Sequence, residues 1–349
     1  MRRCILMVLV LAVLTACGHK KTEKQEASVA SRLVLSIPEA PAVMDQGQKA
    51  EFLKAHYWDN FDFEDEKYPF LLDSAQIYSL FANYASLLMS DPYDTLSTAA
   101  LMEKASENPS AFALFTGLAE MVFHGTDSPY RNDEFYIPVL RAQLRSHYLN
   151  DDEKIKPAEE LTLAQQNRLG HKANDFQYIT EKLDRAELIR AADATSDNQS
   201  ESALAAAGKG IRQGAETENH LYGTEADYLL IFFNNPGCAM CRDIREDLMR
   251  SPFICDLVND GTLTILAVYP DENLDAWRAY HSYLPDNWIN ARNPEGQIFK
   301  ENSYNLNAIP SLYLLNREKT VLAKDATDVK RLETILAGAI AATQGQQAQ

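Results

Sequence analysis

The sequence predicts an all-α N-terminal half followed by an α/β domain. Three observations carry this. From about Gln48 to Gln166 the chain repeats apolar residues at helical spacing and shows no strand alternation. Beyond residue 168, strand-like apolar runs alternate with helical stretches. Finally, the run Tyr228 to Phe233 passes through the turn Asn234-Asn235-Pro236-Gly237 into Cys238-Ala239-Met240-Cys241, and helix-forming residues follow to Met249. At 349 residues two domains are expected.

In the first half, helices are expected over Ala50 to Tyr57, Asp73 to Met89, Asp94 to Ala105, Ser110 to Phe123, Phe135 to Ser146 and Pro157 to Asn167. Asp94 and Ser110 read as N-caps, and Pro92 and Pro109 as stops. The aromatic-acidic segments Tyr57 to Phe63 and Ser128 to Tyr136 join helices. Their rings are expected to pack helix ends onto the core rather than to line a groove. His56, His124 and His147 are scattered without metal-ligand spacing. This half resembles an uncharacterised helical domain that precedes thioredoxin-like domains in bacterial lipoproteins; Tyr57-Trp58 and Ser128-Pro129-Tyr130 carry the likeness, which brings no activity with it.

The cysteine pair is the centre of the second half. Two thiols one helical turn apart can close and reopen a disulfide. The helix N-terminus offers N–H groups and a positive dipole end to a thiolate. Zinc would need two further ligands, and neither a second C-x-x-C nor a His pair follows. Cys238, at the helix start, is expected to attack, and Cys241 to resolve the mixed disulfide. Arg242 and Arg245 favour the thiolate while Asp243, Glu246 and Asp247 oppose it, and both sets are expected mainly to cap and solubilise the first turns.

Downstream, Asn307-Ala308-Ile309-Pro310-Ser311 feeds the apolar run Leu312 to Leu315. With the cysteine pair, this segment resembles the thioredoxin superfamily, and the resemblance implies a mixed sheet flanked by helices. It also implies a cis-Pro310 beside the disulfide and an Ile309 backbone that pairs with an extended substrate segment. Asn316 to Leu322 resembles the last hairpin, and Asp328 to Ala337 the closing helix. A strand (Leu263 to Tyr269), a helical stretch (Leu274 to Tyr283) and a strand-like piece (Trp288 to Ala291) separate Cys241 from Pro310. This extra unit, with Gly170 to Tyr178 upstream, is similar to TlpA-like, membrane-anchored thiol-disulfide oxidoreductases. The likeness covers residues 168–340. It departs in two places: Gly237 stands where Trp usually precedes the first cysteine, and Phe232 where a buried acid assists the resolving thiol. Glu272, after the next strand, is the candidate replacement acid or base. Peroxiredoxin chemistry needs Thr or Ser three residues before its cysteine, where this chain has Asn235.

Met1-Arg2-Arg3, the apolar run Ile5 to Leu14 and Leu14-Thr15-Ala16-Cys17 look like a bacterial lipoprotein signal. The division expected is a signal peptide over 1–16, a lipidated Cys17 and tether over 17–47, a helical domain over 48–167 and a thioredoxin-like domain over 168–345. Residues of about 191–218, rich in Ala, Gly, Ser and Asn, are expected to be a partly disordered surface insertion, with a short helix open to Ala203 to Ala207. Cys255 is expected to be a buried small hydrophobe.

The formal charge of −17 argues against nucleic-acid partners. No cofactor or metal is called for. The expected function is thiol-disulfide exchange with client proteins at the bacterial cell envelope, periplasmic or surface-facing. A partner protein would supply or accept electrons, and a lipid anchor would hold the membrane. The alternative is a non-catalytic thioredoxin-fold scaffold.

Overall fold

The computed structural model describes residues 33–125 and 128–347. The expected signal peptide and the expected lipidation site, Cys17, lie outside the described residues.

Seven helices build the first half: α1 (Gln46–His56), α2 (Tyr68–Leu71), α3 (Ser74–Leu88), α4 (Leu96–Ala105), α5 (Pro109–Ala119), α6 (Asp133–Arg145) and α7 (Ile155–Ala164). Their starts follow local chemistry. Asp45 and Gln48 form a reciprocal capping box at α1, and the Asp73 carboxylate accepts from the N–H groups of Ala75 and Gln76 at α3. At α5 the cap is Asn108, not Ser110: its side chain accepts from Ala111 N, and Pro109 occupies the first turn. A π-helical turn, Glu120–His124, continues α5.

The joining aromatics are core. Trp58 sits edge-on to Phe115 at 5.0 Å and packs with Phe81 and Tyr84, and Phe61 and Phe63 close the same cluster. Edge-to-face rings of this kind each add a fraction of a kcal/mol or more beyond burial.

The second half holds a seven-stranded mixed sheet: β1 (Gln177–Lys182), β2 (Ala215–His220), β3 (Tyr228–Phe233), β4 (Leu263–Tyr269), β5 (Ile289–Arg292), β6 (Ser311–Asn316) and β7 (Val321–Lys324). The spatial order is β2-β1-β5-β4-β3-β6-β7, with β3, β4 and β5 parallel and the remaining pairs antiparallel. Every residue of β3 is buried because both faces are covered. Tyr228, Leu230 and Phe232 face a layer of helices: α8 (Arg185–Thr195), α9 (Glu201–Gly208), α10 (Ala239–Arg250), α11 (Pro252–Asn259), α12 (Leu274–Tyr280) and α14 (Val329–Gln347). Leu229, Ile231 and Phe233 face Phe176, Tyr304, Tyr313 and Ile298, the last on the short helix α13 (Gln297–Lys300).

One expectation holds only in part: the short helix at Ala203 to Ala207 is present within α9, but the segment around it is not disordered. Residues 191–218 are ordered: they hold the end of α8, all of α9 and the start of β2, which pairs antiparallel with β1 over six residues. Small side chains are the reason. A Cβ on Gly208 would strike the Asp275 carbonyl, so α9 lies directly on α12, and Leu204 of α9 is fully buried. The composition that resembles a disordered segment is here a close helix–helix contact.

Candidate functional site

The site begins where β3 ends. Asn234 is buried, and its side-chain amide donates to the Phe232 carbonyl. Gly237 follows at φ +81°, a conformation that favours glycine. A Cβ here would also lie 2.5 Å from the backbone nitrogen of Glu201, at the start of α9. Packing of α9 against the loop therefore accounts for glycine at the position before the first cysteine. Asn273 donates to the Glu201 carboxylate at 2.9 Å and ties the loop after β4 to the same corner.

Cys238 is the N-cap of α10, and its sulfur accepts from Cys241 N at 3.1 Å. The two cysteines are at disulfide distance and joined, with their Cα atoms 5.2 Å apart. Their exposures differ. Cys238 is half-buried, while Cys241 is 0 % exposed. A nucleophile must reach its partner, and a resolving thiol need only reach the first sulfur.

The Ile309–Pro310 bond is cis. The Ile309 carbonyl oxygen lies 3.9 Å from Cys238 Sγ, and Ile309 is half-buried while Pro310 is buried. The structure thus brings Cys238, Cys241, Ile309 and Pro310 together. Glu272 stands on the loop after β4. Glu272 is exposed, its carboxylate faces Gly296, and among the described residues no hydrogen bond or ion pair joins it to either cysteine. Phe232 is fully buried in the helix-covered core and meets Trp288 edge-on at 6.5 Å, so no acid occupies that position.

Two residues depart from their expected roles. Cys255 is half-buried rather than buried; its thiol donates to the Met249 carbonyl at 3.3 Å beside Leu248, Ile254 and Trp288. Arg245 does not solubilise the helix. It is 4 % exposed, on the buried stripe Cys241, Ile244, Arg245 and Leu248. That stripe has the i, i+3, i+4, i+7 spacing of a core face, which is the signal in the sequence that would have found it. Its guanidinium lies over the rings of Tyr280 and Tyr283 at 5.6 and 5.5 Å. Arg242 keeps the expected position, half-exposed beside Asp243.

Among the described residues no three His, Cys, Asp or Glu side chains gather as a metal site, and no helix is long and apolar enough to cross a membrane.

Residues 15–167 match the family model of a domain of unknown function, DUF5106. No curated protein matches the chain. The crystal structure of a thioredoxin-like protein from Bacteroides caccae is similar at 35 % identity and a TM-score of 0.69, over 87 % of this chain and 98 % of that one. The C-terminal domain of an uncharacterized protein from Bacteroides fragilis matches at 34 % identity and a TM-score of 0.37, over 49 % of this chain and 98 % of that one. A conserved protein of unknown function from Bacteroides fragilis matches at 29 % identity and a TM-score of 0.37, over 48 % and 98 %. With the cysteine pair opening α10, the cis-proline loop against it and a relative matched over nearly its whole length, this chain belongs to the thioredoxin-like proteins.

Proposed function

We propose that this protein is a thiol-disulfide oxidoreductase of the bacterial cell envelope, anchored through a lipid on Cys17 and acting on client proteins through Cys238 and Cys241. The observation that carries the reading is the asymmetry of the pair: a half-exposed sulfur capping a helix and a buried one closing a disulfide with it.

The exchange follows from that asymmetry. The Cys238 thiolate attacks one sulfur of a client disulfide, forming a mixed disulfide and breaking the client S–S bond. The first client thiolate leaves and takes up a proton. Cys241 then loses its proton, and its thiolate attacks the Cys238 sulfur. The intramolecular disulfide forms, and the second client thiolate leaves and is protonated. Two electrons pass from the pair to the client. The reverse sequence oxidises a client dithiol, and a partner protein resets the pair. The Cys241 N–H at the helix N-terminus supports negative charge on Cys238 in either direction. The Ile309 backbone, next to Cys238 Sγ, would pair with the client segment. In this reading residues 1–16 are a signal peptide and 17–47 a tether. The helical domain over 48–167 docks the client, and 168–345 carries the chemistry. A scaffold without exchange chemistry is the second reading, and Phe232 in place of an acid favours it.

The test is the reduction potential of the pair in the detergent-solubilised full chain, equilibrated in thiol buffers, trapped by alkylation and read by mass. A two-electron transition between about −120 and −270 mV, the span of dithiol oxidoreductases, is expected. Replacing both cysteines by serine should reduce exchange to the uncatalysed background. A pair that never closes, or one that stays oxidised far below that range, would leave the scaffold reading.

A further inference from the structure

Cys241 poses a problem for exchange. It is fully buried, and burial holds a thiol in its neutral form, yet the second attack needs the thiolate. Position 232 on the neighbouring strand holds a phenylalanine, and Glu272 is exposed with no hydrogen bond to either cysteine among the described residues.

A cation stands on the same helix face instead. Arg245 follows Cys241 by four residues on α10, so their Cβ atoms are about 6 Å apart. Helical side chains lean toward the N-terminus, which carries Arg245 back over the Cys241 turn. The guanidinium is 4 % exposed, and neither Nε nor Nη1 has a hydrogen-bond partner. Its nearest carboxylate is that of Glu246, 3.8 Å from Nη2, which is half-exposed and already paired with Arg250.

The other elements packed here leave that charge unopposed. On α12 and the turn after it, Tyr280 and Tyr283 present rings to the guanidinium, and the Tyr280 hydroxyl has no partner. The Tyr283 hydroxyl is held by Thr195 of α8. On α14, Glu333 accepts from Ser251, and on α10 itself Asp247 pairs with Arg250, while Arg242 and Asp243 are solvated. From β3 the neighbour is Phe232. Burial raises the Tyr280 phenol, against a pull from Arg245 and Arg242, so it stays a neutral hydroxyl.

We propose that Arg245 is the electrostatic partner of Cys241: its buried charge, opposed only by the distant edge of the half-exposed Glu246 carboxylate, lowers the cost of ionising the resolving sulfur. The proton goes to solvent or to the departing client thiolate, and Arg245 itself exchanges none. It acts through the Cys241 sulfur and touches no client, so it is a positioning residue. The inference rests on the oxidoreductase reading for its consequence, but not for its measurement.

The experiment is a pH profile of Cys241 alkylation by iodoacetamide, resolved by peptide mass. It uses the reduced, detergent-solubilised full chain carrying Cys238→Ser. Arg245→Met should move the profile up by about one pH unit or more, roughly a tenfold loss of thiolate at neutral pH. Arg245→Lys, which keeps the charge, should restore it to within about threefold. If Arg245→Met fails to fold, Arg245→Gln takes its place with the same criterion. A folded neutral variant whose profile does not move overturns the inference, as does a lysine variant shifted as far as the neutral one. Absence of exchange in the unmutated protein would remove the proposed function and leave this comparison standing. Intact exchange with an unmoved profile would remove the inference alone.

Discussion

The seam between the helical half and the sheet-bearing half, and the helix that carries the cysteines, both bury cations, and they surround them differently. At the seam each has its counter-ion. Lys324 of β7 meets Asp133 of α6 at 2.6 Å, with side chains 5 % and 4 % exposed, and also donates to the Gln166 and Ala164 carbonyls. Arg131 meets Asp325 at 3.4 Å, and Arg168 forks onto Glu134. In α10, Arg245 is as deeply buried, has aromatic faces over its guanidinium, and meets only the half-exposed Glu246 carboxylate, at 3.8 Å. Paired buried charges tend to set register between surfaces at little net gain, whereas one less closely paired keeps its field for a neighbour.

The comparison breaks most readily at the seam. Lys324→Met leaves the Asp133 carboxylate buried without its partner and should cost about 3–5 kcal/mol in denaturant unfolding. Adding Asp133→Leu should recover most of that, since removing both charges removes the desolvation penalty. A single variant as stable as the parent would show that the seam is wetter or looser than its geometry implies.

A smaller effect is expected at the cysteine loop. Gly237→Ala places a Cβ against Glu201 at a positive φ, and should cost about 2–3 kcal/mol and slow exchange. Stability and rate measured together test whether α9 braces the loop: a fall in rate without a loss of stability would place the effect in the site alone.

The smallest effect concerns a third kind of buried group, one kept neutral. His281, after α12, is held down to about 3 by burial and then by the nearby Arg278 charge. The unfolded chain binds a proton near pH 6.5 and the folded one does not. Stability is therefore complete above about pH 6.5 and declines as the pH falls toward 3. Roughly 2 kcal/mol should be missing at about pH 5 relative to neutrality. His281→Phe should flatten that slope in pH-dependent thermal unfolding, and an unchanged slope would assign the loss to the seam carboxylates.

Much of this was legible from local chemistry. The helices of the first half follow apolar spacing and side-chain caps, so their ends fall within a few residues of expectation, as with α3 and α4. The uniformly apolar run of β3 announces a central strand. What escaped depends on neighbours far along the chain. Alanines and glycines at 203–210 look like a segment unable to form a core until α12 is placed against them. Arg245 looks like a surface cation until the tyrosines of the following unit cover it. Cys255 sits on an apolar face whose rim, with Trp288 opposite, stays partly open.

By itself the sequence determined the elements and the identity of the reactive pair, because hydrophobic periodicity, caps and the spacing of two cysteines act over a turn or two of chain. Only the tertiary structure decided which sulfur is buried, that α9 forms a wall of the cysteine loop, that Ile309 lies against Cys238, and that Arg245 is buried under two tyrosine rings. Those are outcomes of long-range packing, where a side chain's charge and exposure are set by residues dozens of positions away.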